Sequence, residues 1–414
     1  MPSSVDDNRN RAVRDGSQSN DSVRDASTSG HIQDAERNDG KNANHRVGLR
    51  ERIKHLTWAW FTCTMSTGGL AIVLAETPHR FEGLYTIGVI IFIFNVVLFL
   101  LLSSLMATRM IIEPQHFFKA FWHHPESFFF ASFWLSIAVL IGNMQEYGVT
   151  LGGHQRTWLI STIRVLYWMY AGVSLANSIQ QYWMFIHRRP AKPALMTPAW
   201  FLPGYSAMLT GTIASMIASS QPPANRMSII VSGCAYQGFG WLISCVFIAI
   251  YVIHLMENGL PNPDLRPAMF IPVGSAAFTI IALIGQAKAI PRDYGYFASH
   301  PTAADTLQTM ALFVGIFLWI FAFWLFSIAL LAVLGGTLRM GFTLSWWAFV
   351  FPNVGFTVAT IELGKELESE GILWVGTAMT ICVVLIWLIC AVACVKAVVT
   401  KRIMWPGRDE DKDM

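Results

Sequence analysis

Pro198-Ala199-Trp200-Phe201-Leu202-Pro203-Gly204-Tyr205-Ser206 returns, varied, as Pro267-Ala268-Met269-Phe270-Ile271-Pro272-Val273-Gly274-Ser275, with Pro203 and Pro272 69 residues apart. The chain therefore contains an internal repeat. Thr57-Trp58-Ala59-Trp60-Phe61-Thr62-Cys63 is an earlier copy, with Ser66 three residues on and Cys63 in the proline's place, 140 residues before Pro203. Midway between them a second copy keeps Ala131, Phe133 and Ser136. The last copy, Trp346-Trp347-Ala348-Phe349-Val350-Phe351-Pro352-Asn353-Val354-Gly355, follows at a spacing of 80 residues and carries Gly355 in the serine position. Five units of similar length imply five copies of one structural element.

Hydrophobic residues fill 54% of the 414 positions and charged residues 13%, about half the charge of a soluble domain. Such a chain belongs in a bilayer. The formal charge of +3 comes from lysines and arginines at the ends of apolar runs, which form no nucleic-acid stripe. The six cysteines fall inside apolar runs without paired metal spacing and read as small buried hydrophobes. Adjacent His123 and His124 do not share a helix face, so no metal site is expected there, and no cofactor is implied.

Residues 1–48, polar and almost without large apolar groups, read as a disordered tail, and 401–414 as a second tail. Between them, over 49–400, lies the membrane domain. Ten spans are expected, at 56–76, 84–107, 127–145, 157–186, 198–219, 227–256, 267–287, 304–334, 346–365 and 371–399. Prolines fall inside or at the mouths of the odd spans, whereas the interiors of the even ones hold none. A proline inside a helix frees a carbonyl that lipid cannot satisfy, so the odd helices are expected to face a cavity and the longer even helices to form the outer wall. The fold class is thus all-α integral membrane, five hairpins of one inner and one outer helix. Lysines and arginines flanking the spans number sixteen on the side that holds both termini and six on the other, which places both termini in the cytosol.

The residue before the repeat proline is Thr62, Ser132, Leu202, Ile271 or Phe351, and four residues later come Ser66, Ser136, Ser206, Ser275 and Gly355. Residues four apart share a helix face. If that face is axial, a layer of hydroxyls, with Thr67 beside Ser66, lies next to a layer closed by Phe351, Leu202 and Ile271. Hydroxyl donors hold an anion weakly enough for release. The other reading is that small serines let helices pack closely. Glu362, eleven residues beyond Phe351, shares its face about 16 Å further along, with Lys365 nearby. Such a carboxylate is either paired, with Lys365 or Lys288 as candidates, or titrates and couples a proton to transport. Arg266 and Lys288, at the two ends of the seventh span, are candidates for raising local anion concentration, and Asn353 for donating to the anion.

Several motifs resemble the tellurite-resistance and dicarboxylate transporter family, which includes fungal malate permeases, bacterial tellurite-resistance proteins and plant slow anion channels. They are Lys54-His55-Leu56-Thr57-Trp58, Ser66-Thr67-Gly68-Gly69, Arg266-Pro267-Ala268-Met269-Phe270, Phe351-Pro352-Asn353-Val354-Gly355-Phe356 and Ile361-Glu362-Leu363-Gly364-Lys365. The likeness covers about residues 50–408 and is greatest to the fungal malate permeases. It implies ten helices as five hairpins in a quasi-fivefold arrangement around a central pore, and commonly a homotrimer with one pore per subunit. A phenylalanine followed by proline on the ninth helix occludes the family's pore, which makes Phe351 the expected gate. The expected function is transport of malate and similar four-carbon dicarboxylates across the plasma membrane. The same-fold alternative is a sulfite or chloride-type anion channel or exporter. No catalytic motif argues for an enzyme.

Overall fold

A computed structural model describes residues 48–115, 121, 126–149, 156–188 and 196–405. The chain divides into two units, Met1–Gly48 and Leu49–Met414, and the apolar helices all belong to the second. The tails expected at 1–48 and 401–414 lie outside the described residues, save Gly48 and 401–405, as do His123 and His124.

Among the described residues ten helices are long and apolar enough to cross a membrane: α1 Trp58–Glu76, α2 Leu84–Ile112, α3 Glu126–Gly148, α4 Thr157–His187, α5 Pro198–Ser220, α6 Pro223–Asn258, α7 Pro263–Lys288, α8 Pro301–Leu334, α9 Leu344–Glu366 and α10 Glu370–Val399. No strand forms among the described residues. Of the most apolar stretch of each helix, 61–89% is buried in the odd spans and 17–39% in the even ones. The proline-bearing helices are therefore the inner ones. With no water in a bilayer core to hydrogen-bond open backbone, helix is the state these apolar runs must take.

α1, α5, α7 and α9 each open in a 3-10 turn, and the α-helix proper starts at Phe61, Leu202, Ile271 and Phe351. Pro203, Pro272 and Pro352 thus occupy the first turn of the α segment, where the missing N–H would have had no partner and the fixed φ suits the helix. They mark a change of helix type, and carbonyls three residues before two of them take side-chain donors, Trp200 from the Tyr182 hydroxyl at 3.1 Å and Phe349 from the Asn353 amide at 2.8 Å. α3, whose repeat copy has no proline, runs as α-helix from Glu126.

Each odd helix packs on the even helix that follows it, giving five hairpins. Each odd helix also packs on the next odd one, and α9 returns to α1, so the inner helices form a closed ring of contacts. Small residues bring backbones together: a Cβ on Gly211 of α5 would lie 2.6 Å from the Gly233 carbonyl of α6. At one end of the ring Arg109, 3% exposed, donates to Glu126 at 2.8 Å and to the Leu56 carbonyl at 2.6 Å. This buried pair ties the end of α2 to the starts of α1 and α3. The cysteines are free thiols; Cys63, Cys390 and Cys394 are buried as expected, but Cys234, Cys245 and Cys382 face outward on even helices.

Candidate functional site

The ring encloses two cavities. A proximal one of about 570 Å³ is lined at the N-terminal ends of the odd helices by Thr62, Leu202, Ile271 and Phe351 among others. A distal one of about 320 Å³ lies toward their C-terminal ends. Among the described residues Phe351 is the one common to both linings. Its ring, on a residue 5% exposed, lies 5.0 Å from that of Phe278 on α7. Gly69 of α1 faces it, where a Cβ would come within 3.2 Å of the Phe351 ring. The residue the repeat singled out therefore stands between the cavities.

The distal lining follows the repeat. Counting seven residues on from Thr62, Ser132, Leu202, Ile271 and Phe351 gives Gly69, Val139, Leu209, Phe278 and Val358, and all five line this cavity. One layer thus takes one residue from each repeat, the second copy included.

The serines lie elsewhere. Ser66, Ser136, Ser206 and Ser275 are each 0% exposed and border neither cavity. Ser66 donates to the Trp347 carbonyl of α9 at 3.1 Å, and Ser136 to the Phe61 carbonyl of α1 at 3.0 Å. Ser206 and Ser275 donate to the carbonyls of Pro203 at 2.7 Å and Pro272 at 2.6 Å. At about 100° per residue, position +4 lies 40° to one side of the starting direction, while +3, +7 and +14 fall 60°, 20° and 40° to the other. The cavities take that second side, so the serines turn into the helix contacts, where a buried hydroxyl must give its proton to a nearby carbonyl. Thr67 likewise donates to the Cys63 carbonyl and accepts from Trp387 of α10. Asn353 lines neither cavity and spends its amide N–H on the Phe349 carbonyl at 2.8 Å.

The charged candidates divide. Arg266 donates to the carbonyls of Pro261 at 3.1 Å and Ala332 at 2.8 Å, bracing the start of α7 against the end of α8, and lines neither cavity. Lys288 and Glu362 do line the distal cavity. Lys288 Nζ lies 3.0 Å from Glu362 and 2.7 Å from Glu366, while Lys365 Nζ lies 2.8 Å from Glu362 and 2.5 Å from Glu76. The result is an alternating chain, Glu76–Lys365–Glu362–Lys288–Glu366, across α1, α9 and α7. Glu362 is paired on both sides, the first of the two readings its position allowed.

Two acids at this end were missed, and the repeat contained the signal. Glu76 and Glu146 both stand fourteen residues beyond their repeat positions, Thr62 and Ser132, and both line the distal cavity. Glu146 sits on a π-helical turn, Met144–Gly148, just past the expected end of the third span, and forms no ion pair or hydrogen bond among the described residues. Among the described residues no group of acids, histidines and cysteines could hold a metal ion.

Ten apolar spans around a shared axial void define a multi-pass membrane protein of the transporter or channel kind. The chain belongs to the voltage-dependent anion channel family, whose sequence profile matches residues 55–395. It is 33% identical over 368 residues to the malic acid transport protein of Schizosaccharomyces pombe, covering 88% of this chain and 83% of that one. A sulfite efflux pump of Trichophyton rubrum is 29% identical over 335 residues, 80% of this chain and 87% of the relative. The resemblance drawn from the motifs is thereby confirmed, and the family and these relatives are anion transporters or channels, not enzymes.

Proposed function

We propose that the protein carries malate and similar four-carbon dicarboxylates along the axis of a quasi-fivefold ring, with Phe351 as the side chain that opens and closes the path. The observation that carries this reading is the position of Phe351, the one among the described residues that borders both cavities. Each cavity exceeds many times the ~10–15 Å³ a single water needs, so each has room for more than one water-sized group. An aromatic ring swings about χ1 and χ2 without breaking any hydrogen bond, which suits it to a moving plug.

The substrate rests on the relative named for malic acid transport; the relative named as a sulfite efflux pump supports sulfite as the second reading. The lysine and arginine count supports an orientation with the proximal cavity and both termini on the cytosolic side, and the membrane proposed is the plasma membrane. The broad apolar faces of the even helices leave area for lipid and for the neighbours of a homotrimer.

The test is flux of labelled malate, succinate, sulfite and chloride in vesicles holding the purified full-length protein. Malate should move faster than sulfite, and Phe351→Ala should raise malate flux by about tenfold, the effect of lowering a barrier by ~1.4 kcal/mol. A Phe351→Ala protein that is folded and inserted yet slower than the parent would remove the gate, and sulfite flux without malate flux would install the second reading.

A further inference from the structure

α6 is an outer helix, and no candidate site residue came from it. Its last two turns nevertheless reach the proximal cavity through Tyr251, His254 and Asn258. Their spacing, i, i+3 and i+7, puts all three on one helix face.

Five of the described residues with hydroxyls line this cavity: Thr62, Thr197, Tyr205, Tyr251 and Ser345. Thr62 donates to the Ala59 carbonyl at 2.6 Å, Tyr205 to the Ile271 carbonyl at 3.0 Å, and Ser345 to the Asp264 carbonyl at 3.2 Å. Thr197 is exposed. Tyr251 is different: the residue is 5% exposed, and its buried hydroxyl meets no partner among the described residues. A buried donor left unpaired is costly, so a tyrosine that lines the cavity with its hydroxyl closed off from it gains a hydrogen bond when a small turn of the side chain brings it to an incoming acceptor.

The chemistry of the cavity says which acceptor. Among the described residues its lining contains no lysine, arginine, aspartate or glutamate. An anion that leaves its hydration shell there finds neither a fixed cation to trap it nor a carboxylate to repel it. What it needs is neutral donors, and O–H to carboxylate bonds are among the strongest neutral-donor contacts available. Asn258 and His254 extend the same face toward the mouth; the Asn258 amide donates to the His254 carbonyl at 3.1 Å and lies 3.2 Å from its Nδ1.

We propose that Tyr251, His254 and Asn258 form a carboxylate-binding site in the proximal cavity, with the Tyr251 hydroxyl as its buried donor. This deepens the transport reading and rests on it, since it assigns one end of the diacid to a wall of the path. α6 thereby contributes to the ring's function as well as to its sheath.

Tyr251→Phe keeps the ring and deletes the donor. In vesicles holding the full-length protein, its KM for malate, measured from the proximal side, should rise about tenfold, equivalent to about 1.4 kcal/mol, with kcat within twofold. His254→Gln and Asn258→Leu, nearer the mouth, should raise KM about threefold each and leave folding untouched. A KM unmoved in Tyr251→Phe overturns the site, and so does a fall in kcat alone, which marks a merely structural tyrosine. If Tyr251→Phe fails to fold, the two mouth variants decide, and unmoved KM values in both overturn the site equally. Absence of malate flux in the parent protein, with sulfite flux present, strikes the substrate reading instead; the same KM comparison made with sulfite then decides the site.

Discussion

Glu146 bears most directly on how charge is handled at the distal end. The lining and its ion-pair chain contain Glu76, Glu146, Glu362 and Glu366 against Lys288 and Lys365, and the two lysines are already shared among the other three acids. Arg80 in the α1–α2 connection donates to the Thr77 and Ala75 carbonyls. α5 adds only neutral side chains, Ser215 and Ser219 among them. An ionised Glu146 thus opposes anion entry, by on the order of 1 kcal/mol per anion charge at ~8 Å and an effective dielectric of about 40. The penalty doubles for a dianion. Glu146→Gln should therefore raise the distal-side flux of malate several-fold more than that of chloride at pH 8.5, where malate carries two charges. The ratio of the two fluxes is the measurement, because a general gain or loss of folded protein cancels from it. An unchanged ratio would mean that the carboxylate does not face the path.

At the scale of the helix pair, glycine decides how closely α5 and α6 approach. A methyl at Gly211 would stand 2.6 Å from both the Gly233 carbonyl oxygen and the Gln237 side chain, whereas a Cβ on Gly238, further along α6, meets nothing within 4 Å. Gly211→Ala should destabilise the protein in detergent by about 1–3 kcal/mol, the usual cost of overpacking, while Gly238→Ala should gain up to ~1 kcal/mol from helix propensity. Thermal unfolding of the two variants side by side separates crowding from propensity. The same scale explains what could be read from the sequence. Ten spans, inner odd and outer even helices, and the place of Phe351 were legible because each depends on periodic apolar runs or on a repeated proline, both local signals. The face was misjudged by about 60–100°, since +4 was followed where the cavities take +3, +7 and +14. Glu76 and Glu146 went unrecognised for that reason. Arg266 was placed by charge at a mouth, but its guanidinium is held by the Ala332 carbonyl, in the last turn of α8 where helix carbonyls lack intrahelical partners, and by the Pro261 carbonyl in the α6–α7 connection. Tyr251 gave no signal at all, because a lone tyrosine in an outer helix reads as an interfacial aromatic.

For the molecule as a whole, the question is what closes the ring. Four of its five seams join helices near in sequence, but the fifth sets α9 against α1, and Lys365 meets Glu76 across 289 residues. The alternating chain continues from Lys365 through Glu362 to Lys288 of α7, so one run of charges binds the last repeat to both its neighbours. The groups are half-buried: Glu362 is 14% exposed, Glu76 23% and Lys365 36%. The loss of one member should accordingly fall between the ~1 kcal/mol of an exposed pair and the ~3–5 kcal/mol of a broken buried one. Lys365→Met leaves two carboxylates facing each other without their shared cation, and should lower the thermal stability of the purified protein by about 2 kcal/mol. Glu76→Gln added to it removes one of those stranded charges and should restore about half of the loss, a coupling that a double-mutant cycle reads directly. Losses that simply add would mean that the two residues touch without acting together, and that the seam is held by the packing of α9 on α1 alone.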